Sequence, residues 1–237
     1  MVIRQYRMLG FVLAAGVLVA ALPAFAGTIV NVDSNPALNG ASEFNNLTGT
    51  DMVVPDLDPF WAPNSANSSW ISYADTGTAI CSPGNSNPAP CPGNSTTTGT
   101  PNAVFTLNFD LPNADNVGSI TVWADDTAAV YLDGTLLIPA NPNLGLHCAN
   151  APVGCEAIDG ATFNFPGTDS YTGGSLNLGA GEHTLTIDAY QLGGGPFGVM
   201  YEGSFNSSPS TTPEPASYAL LGLGLAGLGL LARRKRA

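Results

Sequence analysis

The sequence predicts an all-β protein whose main domain is an antiparallel β-sandwich. Apolar and polar residues alternate through the middle of the chain, as they do in strands that bury one face. The alternating segments are short, rich in Thr and Val, and separated by turns that contain Gly, Pro and Asn. No segment between Gly27 and Thr211 sustains the periodicity of an amphipathic helix. Together these observations favour a sandwich of short antiparallel strands.

The alternation itself places the strands. The alternating apolar residues are Phe105, Leu107, Phe109 and Leu111, then Ile120 and Val122, then Ala128, Val130 and Leu132, then Leu136 and Ile138, then Leu185, Ile187 and Ala189, and finally Phe197, Val199 and Tyr201. Asp133 and Gly134 separate two of these segments and predict a hairpin with a type I′ turn. A second turn is predicted at residues 193–196, before the last segment.

The first 26 residues have the three parts of a secretory signal peptide. Arg4 and Arg7 form the positive region, an apolar stretch runs from Leu9 to Leu22, and the small residues of Ala24-Phe25-Ala26 follow. The apolar stretch is short for a membrane span. We therefore predict export by the Sec route with Gly27 as the mature N-terminus; an uncleaved N-terminal anchor is the alternative.

Residues 209–237 have the layout of a second signal. Pro213, Glu214 and Pro215 precede an apolar run from Ala216 to Ala232, and a basic cluster occupies residues 233–236. Seventeen residues are the minimum for a helix that crosses about 30 Å of hydrocarbon. The basic cluster should remain in the cytoplasm. The sequence thus predicts one transmembrane helix with the bulk of the chain outside.

The order of tripeptide, short span and basic cluster resembles the PEP-CTERM sorting signal of Gram-negative bacteria that make extracellular polysaccharide. The same tail is also known as an ice-binding protein C-terminal domain, a description that does not imply ice binding here. The resemblance implies processing by an exosortase, a membrane-embedded cysteine transpeptidase, at the motif Pro213, Glu214 and Pro215. It further implies an inner-membrane-anchored intermediate and then a place at the cell surface or in the extracellular matrix. An ordinary membrane anchor is the alternative.

A glycine pattern inside the tail imitates a nucleotide-binding motif. Gly222, Gly224 and Gly227 spell G-x-G-x-x-G, which requires a preceding strand and an acidic residue about 20 positions downstream. Here the pattern lies within the apolar run, close to the last residue. Small residues in a membrane helix favour close helix packing instead, so we reject the nucleotide interpretation.

The charge distribution excludes several classes of partner. All six Lys and Arg residues lie in the two signals, whereas 17 of the 18 Asp and Glu residues lie between them, with His147 and His183. The domain therefore has no Lys or Arg contact to offer a phosphate, which excludes nucleic acid and nucleotides. So many carboxylates must be solvated, hydrogen-bonded or shared with a cation. Outside the cell calcium is the natural candidate.

Asp125, Asp126 and Asp133 are the candidate calcium ligands. In a turn, Asp125 and Asp126 could converge with Asp133 or a backbone carbonyl on one ion. The alternative is a solvated turn whose carboxylates accept local backbone hydrogen bonds. Residues 56–58, Asp-Leu-Asp, are a weaker candidate because they lack the glycine and the final Glu of an EF-hand loop.

Four cysteines fit an exported domain. Cys81 and Cys91 bracket one short segment and Cys148 and Cys155 another, and we favour these two local disulfides among the three possible pairings. A zinc site is the alternative, although neither pair has C-x-x-C spacing and His147 is its only neighbouring histidine.

The order of the motifs is similar to that of galactose-binding-like jelly rolls, which occur in carbohydrate-binding modules and in other PEP-CTERM proteins. The segments that carry this resemblance are 59–61, 69–72, 109–112, 123–126, 130–134, 181–185 and 194–198. It implies a jelly-roll ectodomain. The long segments 81–100 and 141–172 depart from a minimal jelly roll.

Catalytic signatures are weak. The chain has no G-x-S-x-G elbow and no H-E-x-x-H motif. Carboxylate pairs could serve a glycosidase, yet such pairs are expected by chance among so many acids.

The side chains of Trp61, Trp70, Trp123 and Tyr131 form either a sugar-stacking platform or, as we favour, ordinary packing.

The domain map is therefore a signal peptide at 1–26, a β-sandwich at 27–208 and a sorting signal at 209–237. We expect no enzyme but a binding or structural domain, with extracellular polysaccharide as the candidate ligand and an exosortase-type enzyme as the processing partner. A structural biofilm matrix protein without a small ligand is one alternative. A secreted glycan-active hydrolase is the other.

Overall fold

The computed structural model describes residues 27–81, 91–93, 100–113, 115–141, 152–168, 175–208, 221–225 and 227–228. The strands are β1 (Thr28–Asn31), β2 (Glu43–Asn45), β3 (Met52–Val53), β4 (Ile71–Ser72), β5 (Ala103–Leu111), β6 (Asp115–Asp125), β7 (Thr127–Leu132), β8 (Thr135–Ile138), β9 (Ala161–Phe165), β10 (Gly167–Thr168), β11 (Ser175–Leu176), β12 (Gly181–Tyr190) and β13 (Gly198–Ser208). One helical turn, α1 (Pro36–Asn39), and a 3-10 turn (Gly40–Ser42) follow β1.

The strands form two antiparallel sheets that pack as a sandwich. One sheet has the order β3-β4-β13-β6-β9, with β1 also paired to β13; the other has the order β2-β5-β12-β7-β8. Four nested pairs alternate between the sheets: β4 with β13, β5 with β12, β6 with β9 and β7 with β8. A long antiparallel ribbon rolled up in this way is a jelly roll. The predicted fold class is confirmed.

The core lies between the two sheets and follows the alternation of the sequence. Along β5 the inward positions from Ala103 to Leu111 are buried and the positions between them are not. β12 shows the same alternation up to Ala189. The largest fully buried side chains of this core include Tyr201, Phe105 and Phe165. The strands of the described residues all lie between Thr28 and Ser208, and both sheets and their core are formed within this part of the chain.

The β7–β8 hairpin confirms the predicted turn and corrects one detail. Asp133 has φ 51° and Gly134 has φ 74°, the two positive values that a type I′ turn needs. Leu136 was expected to face inward with Ile138, but Leu137 is buried in its place. The pairing of β7 with β8 shifts register between Val130 and Tyr131. Such an irregularity changes which residues face the core.

The first and last strands of the sandwich are neighbours, because β1 pairs with β13 and Thr28 lies opposite Ser207. Residues 221–225 and 227–228 are helical and exposed. None of the helices in the described ranges is long and apolar enough to cross a membrane. The signal peptide at 1–26 and most of the predicted span at 216–232 lie outside the described residues, so both remain predictions.

Candidate ligand-binding groove

A polar groove of about 380 Å³ lies on the outer face of the six-stranded sheet. Its lining residues are Asn31, Asp33, Asn67, Ser119, Thr121, Glu202, Gly203 and Ser204. Strands β1, β13, β6 and β9 are neighbours here, and the side chains that alternate outward on them form rows across the sheet. The groove therefore follows directly from the strand register.

Two polar rows cross the sheet at this place. The first row contains Asn31, Ser204, Ser119 and Asn164, which face one another on successive strands. The second row contains Asp33, which follows β1, and then Glu202, Thr121 and Thr162. Asp33 is placed by the bond from the Val32 N–H to the Gly203 carbonyl, 3.0 Å long, which continues the pairing beyond Asn31. We call these two sets the first and second polar rows.

Most polar atoms in the groove are available to a ligand. Within the described residues, the side chains of Asn31, Ser119, Glu202 and Ser204 make no hydrogen bond. The hydroxyl of Thr121 is paired with that of Thr162 at 2.8 Å, although either oxygen can still accept another hydrogen bond. The groove thus presents donors and acceptors that water occupies when no ligand is bound.

Asp33 and Glu202 bring two carboxyl groups into the second polar row. Asp33 is half-buried and accepts hydrogen bonds from the Gly203 N–H and, at 3.4 Å, from the Ser68 hydroxyl. Burial raises the pKa of Asp33, and the charge of Glu202 adds to that rise, while the two hydrogen bonds oppose it. The groove is therefore acidic, and its two carboxyl groups already repel each other.

A tryptophan cluster covers the sheet next to the second polar row. Trp123 lies opposite Met200 on the outer face, and Trp61 and Trp70 pack in the same cluster. The rings of Trp61 and Trp70 stack with centroids 4.2 Å apart, and Nε1 of Trp70 donates to the Ala62 carbonyl at 2.7 Å. These three tryptophans are at most 9% exposed.

The four aromatic residues therefore do not form a sugar-stacking platform. Three of them are packed in this cluster, and Tyr131 is half-buried on β7, in the other sheet. The packing interpretation is confirmed for the tryptophans. The platform is wrong because loops that the sequence left unplaced fold over the face of the sheet.

Asp125 and Asp126 form a buried carboxyl pair at the end of β6. Asp125 Oδ2 accepts a hydrogen bond from Trp61 Nε1 at 2.7 Å. Asp126 Oδ2 accepts from the backbone N–H groups of Leu192 and Gly193, at 2.6 and 3.0 Å. Burial, followed by the charge of Asp126 and a hydrogen bond to it, raises the pKa of Asp125 well above its usual value. Burial therefore favours the neutral form of Asp125, which is the form that can donate a hydrogen bond to Asp126.

Asp133 does not join this pair, so the predicted three-carboxylate calcium site is wrong in that form. Asp126 and Asp133 lie at opposite ends of the six-residue strand β7, roughly 20 Å apart at the usual rise per residue. Asp133 instead accepts from His183 Nδ1 and from the Thr184 N–H, both at 2.8 Å. No group of three or more potential metal ligands occurs among the described residues.

The weaker acidic candidate is a turn. Asp58 Oδ1 accepts a 2.9 Å hydrogen bond from the Phe60 N–H, the pattern of a local Asx turn. Among the described residues, this segment joins no group of three potential metal ligands.

The structure contains one of the two predicted disulfides. Cys81 is bonded to Cys91, with their Cα atoms 5.5 Å apart. Cys155 is also disulfide-bonded. Its predicted partner Cys148 lies outside the described residues, so that pairing remains a prediction, and peptide mapping without reduction would test it.

The groove was not predicted from the sequence. Asn31, Asp33, Asn67, Ser119 and Glu202 come from distant segments, and each looks like an ordinary polar residue on a solvated face. The available signal was the set of outward positions on the strands beside β13. These positions can be recognised as one surface only when the strands that pair with β13 are known.

Two solved structures are similar to this chain at a low level. One is the native structure of a family 35 carbohydrate binding module from Clostridium thermocellum, with 13% identity, a TM-score of 0.33, and coverage of 74% of this chain and 97% of that chain. The other is exo-beta-1,3-galactanase from Phanerochaete chrysosporium, with 11% identity, a TM-score of 0.30, and coverage of 76% of this chain and 29% of that chain.

The tail gives the specific match. No curated protein matches the chain. A family model described as the PEP-CTERM protein-sorting motif matches residues 211–236. This match includes the tripeptide, the apolar run and the basic cluster on which the sequence prediction rests, and it implies membrane-anchored sorting to the cell surface. The chain is therefore an exported protein that carries a PEP-CTERM protein-sorting motif at its C-terminal end.

Proposed function

We propose that the exported sandwich binds polysaccharide without catalysis, through the groove on its six-stranded sheet. The observation that carries the proposal is the two polar rows, whose hydroxyl, amide and carboxylate groups are largely unpaired on an exposed face. An ordinary solvated surface also has polar side chains, but a groove lined from β1, β13 and β6 offers several contacts to one extended ligand.

The chemistry of the groove suits sugar hydroxyls. Each hydroxyl of a sugar both donates and accepts hydrogen bonds. The Asn31 amide can donate and accept, Ser119 and Ser204 can do either, and Glu202 accepts strongly when ionised. Exchange of water for such a ligand gives a small gain per hydrogen bond, so affinity should come from many contacts along a chain.

The sorting motif supplies the context. An exosortase-type enzyme processes the tail, and the domain then stays at the cell surface or in a polysaccharide-rich matrix. Export by the Sec route would bring it there. A domain that binds matrix polysaccharide is useful in that place, whereas a purely structural matrix protein would have no need of the unpaired rows.

A glycan array probed with residues 27–208, with and without calcium, tests this proposal. Thr121→Val removes a hydroxyl from the second polar row, and Thr186→Val is the matched control on the outer face of the other sheet. We expect Thr121→Val to weaken binding several-fold and Thr186→Val to leave it unchanged. Absence of binding to every glycan would favour the structural alternative.

One observation supports a second candidate, a glycan-active hydrolase. Asp33 and Glu202 lie in one row of the groove, and the raised pKa of Asp33 is what a general acid beside a carboxylate would show. The same preparation should therefore be assayed for new reducing ends. Release that Glu202→Gln abolishes would replace binding with hydrolysis as the function.

A further inference from the structure

The groove lies on a domain that has almost no positive charge to offer. Seventeen carboxylates and no Lys or Arg lie between the two signals. Of the two histidines, His183 is buried in the other sheet, with Nδ1 2.8 Å from Asp133 and Nε2 3.2 Å from the Gly179 carbonyl. His183 is thus already paired with the Asp133 carboxylate. The field over the described surface is negative.

The groove concentrates this charge where a ligand would lie. Asp33 and Glu202 are neighbours in the second polar row, and no cationic side chain lines the groove. A uronate or sulfate group placed there would meet two carboxylates without a compensating partner. A neutral sugar would instead donate its hydroxyl hydrogens to the same oxygens in charge-assisted bonds.

The dimensions favour a chain over a single sugar. The groove is lined from β1, β13 and β6. Each polar row continues onto β9, so a row spans roughly 14 Å at the usual strand spacing. A single ring would occupy only part of a row, whereas an extended chain would meet several of its side chains.

We infer that the groove selects uncharged polysaccharide chains that lie across the strands, and that it rejects chains bearing uronate or sulfate groups. This inference rests on the proposed function and specifies the ligand of the same site. The selectivity comes from Asp33 and Glu202: they act as acceptors for a neutral chain and repel an acidic one. Like-charge repulsion of this kind is a common basis of specificity.

Affinity electrophoresis in chelator can test the selectivity. The gels would contain a neutral polymer, such as dextran or galactan, or an acidic one, such as alginate or polygalacturonate, and the protein would be residues 27–208. The chelator removes divalent ions that could bridge two anionic partners. Glu202→Gln removes one groove charge, and Asp110→Asn removes an equal charge from an exposed position on β5 of the other sheet.

We expect the parent domain to be retarded by at least one neutral polymer and by neither acidic one. Glu202→Gln should weaken the neutral interaction several-fold and allow measurable retardation by an acidic polymer, while Asp110→Asn should behave as the parent. Melting curves of both variants check that the fold is retained.

Three results would overturn the inference. Equal retardation of the parent by acidic and neutral polymers would remove the selectivity and leave the proposed binding function intact. Equal gains of acidic binding in Glu202→Gln and Asp110→Asn would assign the selectivity to net charge and not to the groove. Retardation by none of the polymers would overturn the proposed function and the inference with it.

Discussion

The indole Nε1 of Trp61 donates a 2.7 Å hydrogen bond to Oδ2 of Asp125, which ties the turn at residues 58–61 to the end of β6. Asp125 in turn bonds to Asp126, and Asp126 accepts from the backbone N–H groups of Leu192 and Gly193. One run of hydrogen bonds therefore connects three loops at the same end of the sandwich.

The two aspartates in this run should respond differently to substitution. Asp126→Ala leaves the Leu192 N–H without its acceptor and leaves the Gly193 N–H only its longer bond, 3.3 Å, to Gln191 Oε1. We therefore expect the free energy of unfolding to fall by about 2–3 kcal/mol. Asp125→Asn should cost at most about 1 kcal/mol, because burial already favours the neutral form of Asp125 and an asparagine amide can also donate to Asp126. Urea denaturation of both variants measures the difference. Equal losses would contradict a hydrogen bond donated by Asp125 to Asp126.

Calcium should stabilise the domain through the Asp125–Asp126 pair, even though Asp133 is too far away to take part. The reason is electrostatic: many carboxylates without Lys or Arg repel one another, and an ion bound only by the folded form adds stability. Because burial favours the neutral form of Asp125, a bound ion would have to displace its proton, so the calcium effect should increase as the pH rises.

Melting temperatures in chelator, in millimolar calcium and in sodium chloride of equal ionic strength measure this effect. Asp125→Asn should lose the calcium increment, and Asp133→Asn, the control, should keep it. A calcium increment no larger than that of sodium would rule out a specific site.

Asp51 should make stability depend on pH near neutrality. It is buried and accepts a 2.7 Å hydrogen bond from Asn45 Nδ2, while its Oδ2 has no partner among the described residues. Burial, with a smaller contribution from the charge of Glu43, raises the pKa of Asp51 to about 7. An unfolded aspartate titrates near about 3.9, so ionisation is disfavoured only in the folded state.

The sign follows by linkage: stability is full below the unfolded pKa and falls as the pH rises from about 4 through about 7. Asp51→Asn should therefore raise the free energy of unfolding at pH 7.5 by about 1–2 kcal/mol and flatten its pH dependence. Denaturation at pH 4.5, 6 and 7.5 measures the slope, with Asp110→Asn as an exposed control. A slope unchanged by Asp51→Asn would show that other carboxyl groups cause it.

The tail should determine where the protein goes. Replacement of Pro213, Glu214 and Pro215 by alanine should block processing and leave export intact, because the tripeptide precedes the apolar run within the matched motif. Mass spectrometry of the envelope fraction would show an untrimmed protein. If the variant is trimmed as the parent is, residues 209–237 act only as an anchor.

The fold could be predicted from the sequence because its signals are local. Alternation along Phe105 to Leu111 and the Asp133-Gly134 turn depend on near neighbours, and both are found where they were expected. The error at Leu136 has a different origin. A register shift between two strands depends on tertiary packing, which no short segment reports.

The site could not be predicted because it is made by strand adjacency. Ser119 and Ser204 are 85 positions apart in the sequence, yet they lie directly opposite each other. The burial of Trp61 and Trp70 has the same cause, since each is covered by segments distant in sequence. The sugar-stacking hypothesis was based on aromatic residues, whereas the groove is lined by the polar residues beside them.

The measurement that bears most directly on the proposed function is a map of where a polysaccharide fragment binds. Backbone amide shifts of residues 27–208 would be followed by NMR during titration with an oligosaccharide of the polymer retained most strongly. We expect the largest shifts at Ser119, Thr121 and Gly203, which line the groove from the adjacent strands β6 and β13. Shifts confined to residues 192–195, or to the β7–β12 face around Tyr131, would contradict it.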